Sequence, residues 1–339
     1  MAGSSGSALA IQVSAAGALG SLPCASIDAD KARSEIGVIR QRTDKPFNVN
    51  FFCHTPPEAD PARDAAWKAS LSGYYAELGL DPDAPAPDLN RAPFDDTMCA
   101  IVEDLRPTVV SFHFGLPEDS LLARVKAAGC LVISSATTPE EARWLEAKGC
   151  DAIIAQGVEA GGHRGMFLTE DLSTQAGTFA LVPQVVDAVS VPVVAAGGIG
   201  DGRGIAAALA LGASGVQMGT AYLLTPESLV NDLYRSALKG GRGDATALTN
   251  LFSGRPARGI VNRLMREKGP ISGTAPAFPR AGGAVAPLKA QAEAQGSTDF
   301  TQLWAGQTVA LGREVGAGDL TRQFADDALA RLGAIAPPG

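Results

Sequence analysis

The chain has 339 residues, of which 46% are hydrophobic and 19% charged, and its formal net charge is −8. That length is enough to bury a large core and suits one large α/β domain, alone or with a smaller companion. With no block of Lys and Arg, nucleic acid is not an expected partner, and no apolar run approaches the ~18 residues of a membrane helix.

The N-terminus lacks the charged and apolar regions of a secretory signal. The cysteines are Cys24, Cys53, Cys99, Cys130 and Cys150. Their number is odd and no CxxC pair occurs, so they read as small buried hydrophobes in a reducing compartment. A cytoplasmic location follows by elimination.

In chain order, residues 8–16 look helical, 18–22 form a short apolar segment, 30–42 a helix and 46–52 a strand. Residues 55–95, rich in Pro, Asp and Ala with Trp67, Tyr74 and Tyr75, read as a helical excursion with loops. From residue 107 the pattern is regular. Apolar, β-branched runs begin at 108, 131, 152, 192 and 214, and the segments between them end in Gly129, Gly149 and Gly212. Glycine is common just past a helix end. Thr138-Pro139-Glu140-Glu141 offers a cap, a first-turn proline and a capping-box glutamate, and Asp201 caps the helix after Gly200. Continuous apolar strands alternating with helices predict a parallel sheet covered by helices.

The interval after the strand at 152 is nearly twice the others. It holds Gln156-Gly-Val-Glu-Ala-Gly-Gly-His-Arg-Gly165. An enlarged loop at the C-terminal end of a parallel strand is where (β/α)8 barrels build active sites. Beyond residue 222 the rhythm stops. Residues 1–222 are expected to form the barrel, completed by a helical tail at 308–339, with 223–307 as a smaller, mainly helical second domain or lid. Residues 303–313 read as helical. The tail at 320–332 is amphipathic through Leu320, Phe324, Leu329 and Leu332.

Candidate chemistry sits in the loops. His163 is flanked by glycines that let backbone approach a ligand, and an imidazole exchanges protons near neutral pH. His113 ends the strand at 108 and reads either as a catalytic or as a structural histidine. His54 reads as a solvated loop residue. Gly197, Gly198 and Gly200 after one strand, and Gln217, Met218, Gly219 and Thr220 after the next, suit a phosphate site built from two adjacent loops. Asn50 and Gln156 are polar residues at apolar strands, facing either backbone partners or a cofactor edge. Trp304 reads equally as core or as site. No metal site is expected, although Glu159 and His163 are close in sequence.

The 156–165 decapeptide resembles the signature of nitronate monooxygenases of the bacterial class I type. So do Pro46-Phe-Asn-Val-Asn-Phe-Phe52, Ser111-Phe-His-Phe-Gly115, Val194-Ala-Ala-Gly-Gly-Ile-Gly200, Gln217-Met-Gly-Thr220, Phe252-Ser-Gly-Arg-Pro-Ala-Arg258 and Leu303-Trp-Ala-Gly-Gln307. The resemblance implies an FMN-dependent (β/α)8 TIM barrel with a smaller second domain, oxidising alkyl nitronates such as propionate 3-nitronate with O2 to carbonyl compounds and nitrite. It implies FMN contacts at Asn50, Gln156, Gly161, Gly162, Gly197, Gly198 and 217–220, and an active-site role for His163. That role is stabilising the anion as imidazolium, or acting as base toward a neutral nitroalkane. An FMN-dependent enoyl-acyl-carrier-protein reductase, or a flavin-binding barrel without turnover, is the alternative. The family opens with a strand of apolar-Ala-Pro-Met-Ala-Gly type, whereas this chain starts at that Met. The first barrel strand is therefore expected to be missing, and the native start to lie ~20 residues upstream. A native intact mass beginning at Met1 would overturn that expectation.

Overall fold

The computed structural model describes residues 1–87, 91–240 and 245–335. The first half runs α1 (Ser7–Ala15), β1 (Gly20–Pro23), α2 (Ala29–Arg42), β2 (Phe47–Phe52), α3 (Pro61–Ser70), α4 (Ser72–Glu77) and α5 (Asp96–Leu105). It continues with β3 (Val109–His113), α6 (Asp119–Ala127), β4 (Leu131–Ala136), α7 (Pro139–Ala147) and β5 (Ala152–Gln156). Next come β6 (Gly162–His163), α8 (Thr178–Ala188), β7 (Val193–Ala196), α9 (Gly202–Ala210) and β8 (Gly215–Gln217). The remainder holds α10 (Asp232–Lys239), β9 (Thr246–Thr249), β10 (Ala257–Ile260), α11 (Arg263–Lys268), α12 (Ala281–Ala294) and α13 (Ala317–Ile335). Among the described residues no helix is long and apolar enough to cross a membrane.

The main sheet is parallel, in the order β1-β2-β3-β4-β5-β7-β8. Asn50 lies opposite Ser111, and Ile153 opposite Val193. The arrangement is TIM-like. It has seven parallel strands among the described residues, with β1 and β8 as the two edges. Each strand following its helix on the same side brings every β-to-α loop to one end of the sheet. The core between sheet and helices packs Val49, Val110, Phe112, Val132 and Ile153 against Ile36, Ile39, Leu145, Leu181 and Val185.

The helix-start signals hold. Thr138 Oγ1 accepts from Glu141 N at 3.2 Å, and Asp201 Oδ1 accepts from Arg203 N at 2.9 Å. Glu141 does not close a capping box. Its buried carboxylate accepts from Thr137 N and Oγ1, both at 2.7 Å, and from Phe167 N at 2.6 Å. It thereby ties the start of α7 to the end of the long loop. α13 packs on α9 and buries Leu320, Phe324 and Ala328. Leu329, expected on that face, is 67% exposed. Ala328 takes its place because the small side chain permits close helix packing.

A second apolar cluster joins Trp67, Leu71, Tyr74 and Tyr75 of the 55–95 excursion to Leu251, Leu264, Val285, Leu288 and Phe300. Trp67 Nε1 donates to Ala281 O at 3.0 Å, and Tyr75 Oη to Ala284 O at 2.7 Å. Residues 303–313 are not an α-helix. Trp304 bridges to Gly259, Ile260 N donates to Leu303 O at 2.9 Å, and only Val309–Leu311 makes a 3-10 turn. Backbone pairing with β10 competes with helix there and wins. β9, β10 and β6 form an antiparallel sheet in the order β6-β10-β9.

Trp67→Ala removes a fully buried ring and its hydrogen bond. It is expected to destabilise the chain by about 3–5 kcal/mol, read as a lowered urea midpoint at unchanged slope. A midpoint within error of the parent would show that the second cluster contributes nothing to global stability.

Candidate active site

Strand β5 ends at Gln156, and the loop beyond it is held by its own backbone. Gly157 N donates to Ala196 O at 2.8 Å, Arg164 N to Pro256 O at 2.9 Å, and Gln307 N to Glu159 O at 3.0 Å. The loop's carbonyls point inward, where water does not reach, and two arginines satisfy them. Arg164 is fully buried. Its guanidinium donates to Gln156 O and Gly157 O, both at 2.6 Å, and to Gln175 Oε1 at 2.9 Å. Arg258 donates to Val158 O at 2.8 Å. Burial pushes the Arg164 guanidinium down to about 10, which leaves it charged at neutral pH. The Glu159 carboxylate accepts from Thr178 N at 2.8 Å and Oγ1 at 2.9 Å, capping α8. Arg164 and Glu159 thus brace the loop. Gly161 is required sterically, because a Cβ there would come 2.5 Å from Gly306 N.

The loop ends in β6, which pairs with β10 so that His163 lies opposite Ala257 and Gly162 opposite Arg258. The turn between β9 and β10 delivers Phe252, Ser253 and Arg255 to the same place. His163 Nε2 lies 2.8 Å from Ser253 Oγ, and Ser253 Oγ donates to Arg255 O at 3.3 Å. The serine has one proton, so Nε2–H is the donor in the first contact. Nδ1 then carries the lone pair, and it has no hydrogen-bond partner among the described residues.

All three histidines converge. The His163 ring lies 5.4 Å from Phe278, 5.5 Å from Trp304, 5.8 Å from Phe114 and 6.1 Å from Phe52. His54 packs on Phe278 at 4.7 Å and is 4% exposed, so it is not a solvated loop residue. The aromatic cage removes it from water, and its Nδ1 has no partner. Phe114 holds a left-handed backbone with φ 70°, a strained conformation for a bulky side chain. His113 Nε2 is 3.2 Å from His163 O and its Nδ1 is 3.1 Å from Ser135 Oγ. A carbonyl only accepts, so Nε2 is the protonated nitrogen. Gln156 Nε2 also donates to His163 O at 3.0 Å, while its Oε1 accepts from Gly165 N at 2.7 Å.

The cage favours neutral imidazoles. Burial pushes His163 well below the usual 6.5, and the nearby Arg91, His113 and Arg255 charges act the same way. Burial, with Arg255 adding to it, pushes His54 down to about 4. Burial pushes His113 down to about 3. Positive charge reaches His163 from Arg91 and, within the cage, from Arg255. Its guanidinium sits 4.4 Å over the Phe114 ring and donates to Met166 O at 3.2 Å.

The expected cofactor residues divide into two groups. Gln156, Gly161 and Gly162 belong to the braced loop, and Thr220 Oγ1 accepts from Gly306 N at 2.9 Å. Gly197, Gly198, Met218 and Gly219 follow the neighbouring strands β7 and β8, and Gln217 ends β8. Gly197 and Gly198 have φ 105° and 68°, and Gly198 and Gln217 are exposed. A Cβ at Gly197 would come 3.0 Å from Ala160 N and from Gly157 O and 3.1 Å from Thr178 Oγ1, and one at Gly198 would meet the Glu159 side chain at 3.5 Å, so the two loops pack closely here. Glycine backbone N–H groups after two adjacent strands are the donors a phosphate takes. Asn50 is half-buried and donates from Nδ2 to Ser111 Oγ at 2.8 Å, leaving Oδ1 as an acceptor. Ser253, Arg255, Phe114 and Phe278 were not singled out from the sequence. Arg255 stood inside a quoted motif, and its charge was the available signal. Phe278 carries none.

A profile of the nitronate monooxygenase family matches residues 1–327. A nitronate monooxygenase of Pseudomonas aeruginosa is 48% identical over 329 residues, spanning 96% of this chain and 94% of that one. The crystal structure of a nitroalkane oxidase from Streptomyces ansochromogenes superposes with a TM-score of 0.90 at 41% identity, covering 98% of this chain and 95% of that one. FabK from Thermotoga maritima superposes less well, with a TM-score of 0.71 at 26% identity, covering 99% of this chain and 92% of that one. The chain belongs to the nitronate monooxygenase family.

Proposed function

We propose that this chain oxidises alkyl nitronates with O2 to carbonyl compounds and nitrite, using FMN, in the histidine cage. The observation that carries the reading is the pairing of a neutral His163 with the Arg255 cation inside an aromatic cage. A nitronate is an anion, and Arg255 supplies the compensating charge that a neutral His163 does not. The imidazolium role therefore passes to Arg255. His163 Nδ1 is the base that removes the α-proton when a neutral nitroalkane is the substrate. Ser253 fixes its tautomer. His113 has both ring nitrogens engaged, and together with Gln156 it positions the His163 backbone.

FMN would be held by Asn50 and by the backbone cradle of Gly197, Gly198, Gln217, Met218, Gly219 and Thr220, beside the loop of Gln156, Gly161 and Gly162. When bound, it supplies the electron acceptor and the means of reducing O2. The cage excludes water from the reacting carbon, and the smaller unit around residues 223–307 serves as its lid.

Purified protein is expected to show a flavin spectrum and to release nitrite from a nitronate panel under O2. Rapid anaerobic bleaching by NADH with no nitrite would identify a reductase instead, and a yellow protein inert to both would identify a binding barrel. His163→Ala is expected to lose about 10²–10⁴-fold in kcat/KM on neutral nitroalkanes and far less on preformed nitronates. Equal losses on both would remove the base assignment. Because the neutral imidazole is the active form and burial lowers its pKa, kcat/KM on nitroalkanes stays level as pH falls to 6.5 and declines only below it. An acidic limb at or above 6.5 in the pH–rate profile would contradict this. Arg255→Met is expected to raise the nitronate KM by roughly 10–100-fold, the worth of a charged hydrogen bond. An unchanged KM would sink its role.

A further inference from the structure

Glu141 is fully buried, and a carboxylate out of water must be met by donors. Oε2 accepts from Thr137 N and Oγ1, both at 2.7 Å. Oε1 accepts from Phe167 N at 2.6 Å and Leu168 N at 3.2 Å. The bonds to Thr137 stay at the start of α7. Those to Phe167 and Leu168 cross to the end of the long loop, which a helix cap does not require. The peptide between Met166 and Phe167 is therefore held from both sides. Its N–H donates to Glu141, and its carbonyl accepts from the Arg255 guanidinium at 3.2 Å. A bond donated from one side of a peptide strengthens the acceptor on the other, and it fixes the direction in which that carbonyl points. Burial works against the Arg255 cation, and the charges of Glu170 and Glu141 work for it. The second carboxylate oxygen serves the other arm of the loop. Thr137 Oγ1 accepts from Gln175 Nε2 at 3.0 Å, and Gln175 Oε1 accepts from Arg164, the guanidinium that holds Gln156 O.

We propose that Glu141 is a positioning residue for the substrate anion. Through the Met166–Phe167 peptide it sets where the Arg255 guanidinium stands relative to His163. The assignment rests on the nitronate reading above. Phe167 also packs on Trp144 of α7, their ring centroids 5.1 Å apart. Loss of the carboxylate thus frees the direction of the peptide while the segment stays on the helix.

The test is the KM and kcat of nitrite release from propyl-1-nitronate by the flavin-loaded protein. Glu141→Gln and Thr137→Val are each made in the parent and in the Arg255→Met background. Glu141→Gln replaces one acceptor oxygen by a donor. Thr137→Val removes only the hydroxyl, and it answers the question if the glutamine variant does not fold. KM is expected to rise about fivefold in Glu141→Gln and about threefold in Thr137→Val, with kcat changing less than about twofold. In the Arg255→Met background neither substitution raises KM further, because a residue that acts through Arg255 has nothing left to act on. A parental KM in both variants overturns the assignment. So does the same rise in the Arg255→Met background, or a fall in kcat with KM unmoved. Arg255→Met at the parental KM overturns the anion role of Arg255 and this assignment with it. No nitrite from the parent holding flavin overturns the nitronate reading itself.

Discussion

The structure depends on how the carbonyls at the end of β5 are satisfied. A glycine-rich loop cannot close over a dry cavity with its C=O groups unpaired, since each buried orphan costs about 1–3 kcal/mol. Arg164 answers Gln156 O and Gly157 O, and Arg258 answers Val158 O. Burying a guanidinium is costly, and it is tolerated here because every direction it points meets an acceptor. With the carbonyls held, the loop delivers Gly162 and His163 to β10 as a short strand. Glu159 then caps α8, which fastens the loop to the next unit of the sheet.

Electrostatics follow from the same dryness. Desolvation lowers all three imidazoles, so charge in the cage is carried by guanidinium groups, which do not titrate at working pH. The division is chemically useful, because an imidazole can accept a proton only when it is uncharged, whereas the partner of an anion must carry charge. One residue type could not serve both needs at one pH. Phe114 sets the spacing. It touches His54, His113 and His163 and carries Arg255 on its face, which gives its strained backbone a physical purpose.

Much of this was legible in the chain. The apolar runs at 108, 131, 152, 192 and 214 are all strands of the main sheet, because burial on both faces demands continuous hydrophobicity. Thr138 and Asp201 cap as read, because capping is local. The enlarged unit after residue 152 pointed to His163. What could not be read is set by distant pairing. Ala257-Arg-Gly-Ile260 has no strand pattern, since its arginine is buried by the loop it braces and its glycine meets Trp304. His54 looked solvated because the ring that covers it, Phe278, lies more than two hundred residues away in the sequence. The 303–313 segment looked helical because its periodicity carries no trace of the strand beside it.

The β9–β10 hairpin has a consequence for motion. His163 is laddered to β10, Ser253 and Arg255 lie in the turn that begins it, and Arg258 reaches back from its middle. His163, Ser253 and Arg255 are therefore joined through one hairpin. His163 O is also held by His113 Nε2 of β3 and Gln156 Nε2 of β5. The histidine is thus a rivet between the two sheets, and the hairpin cannot swing away from the main sheet without breaking either the β6–β10 ladder or both of those bonds.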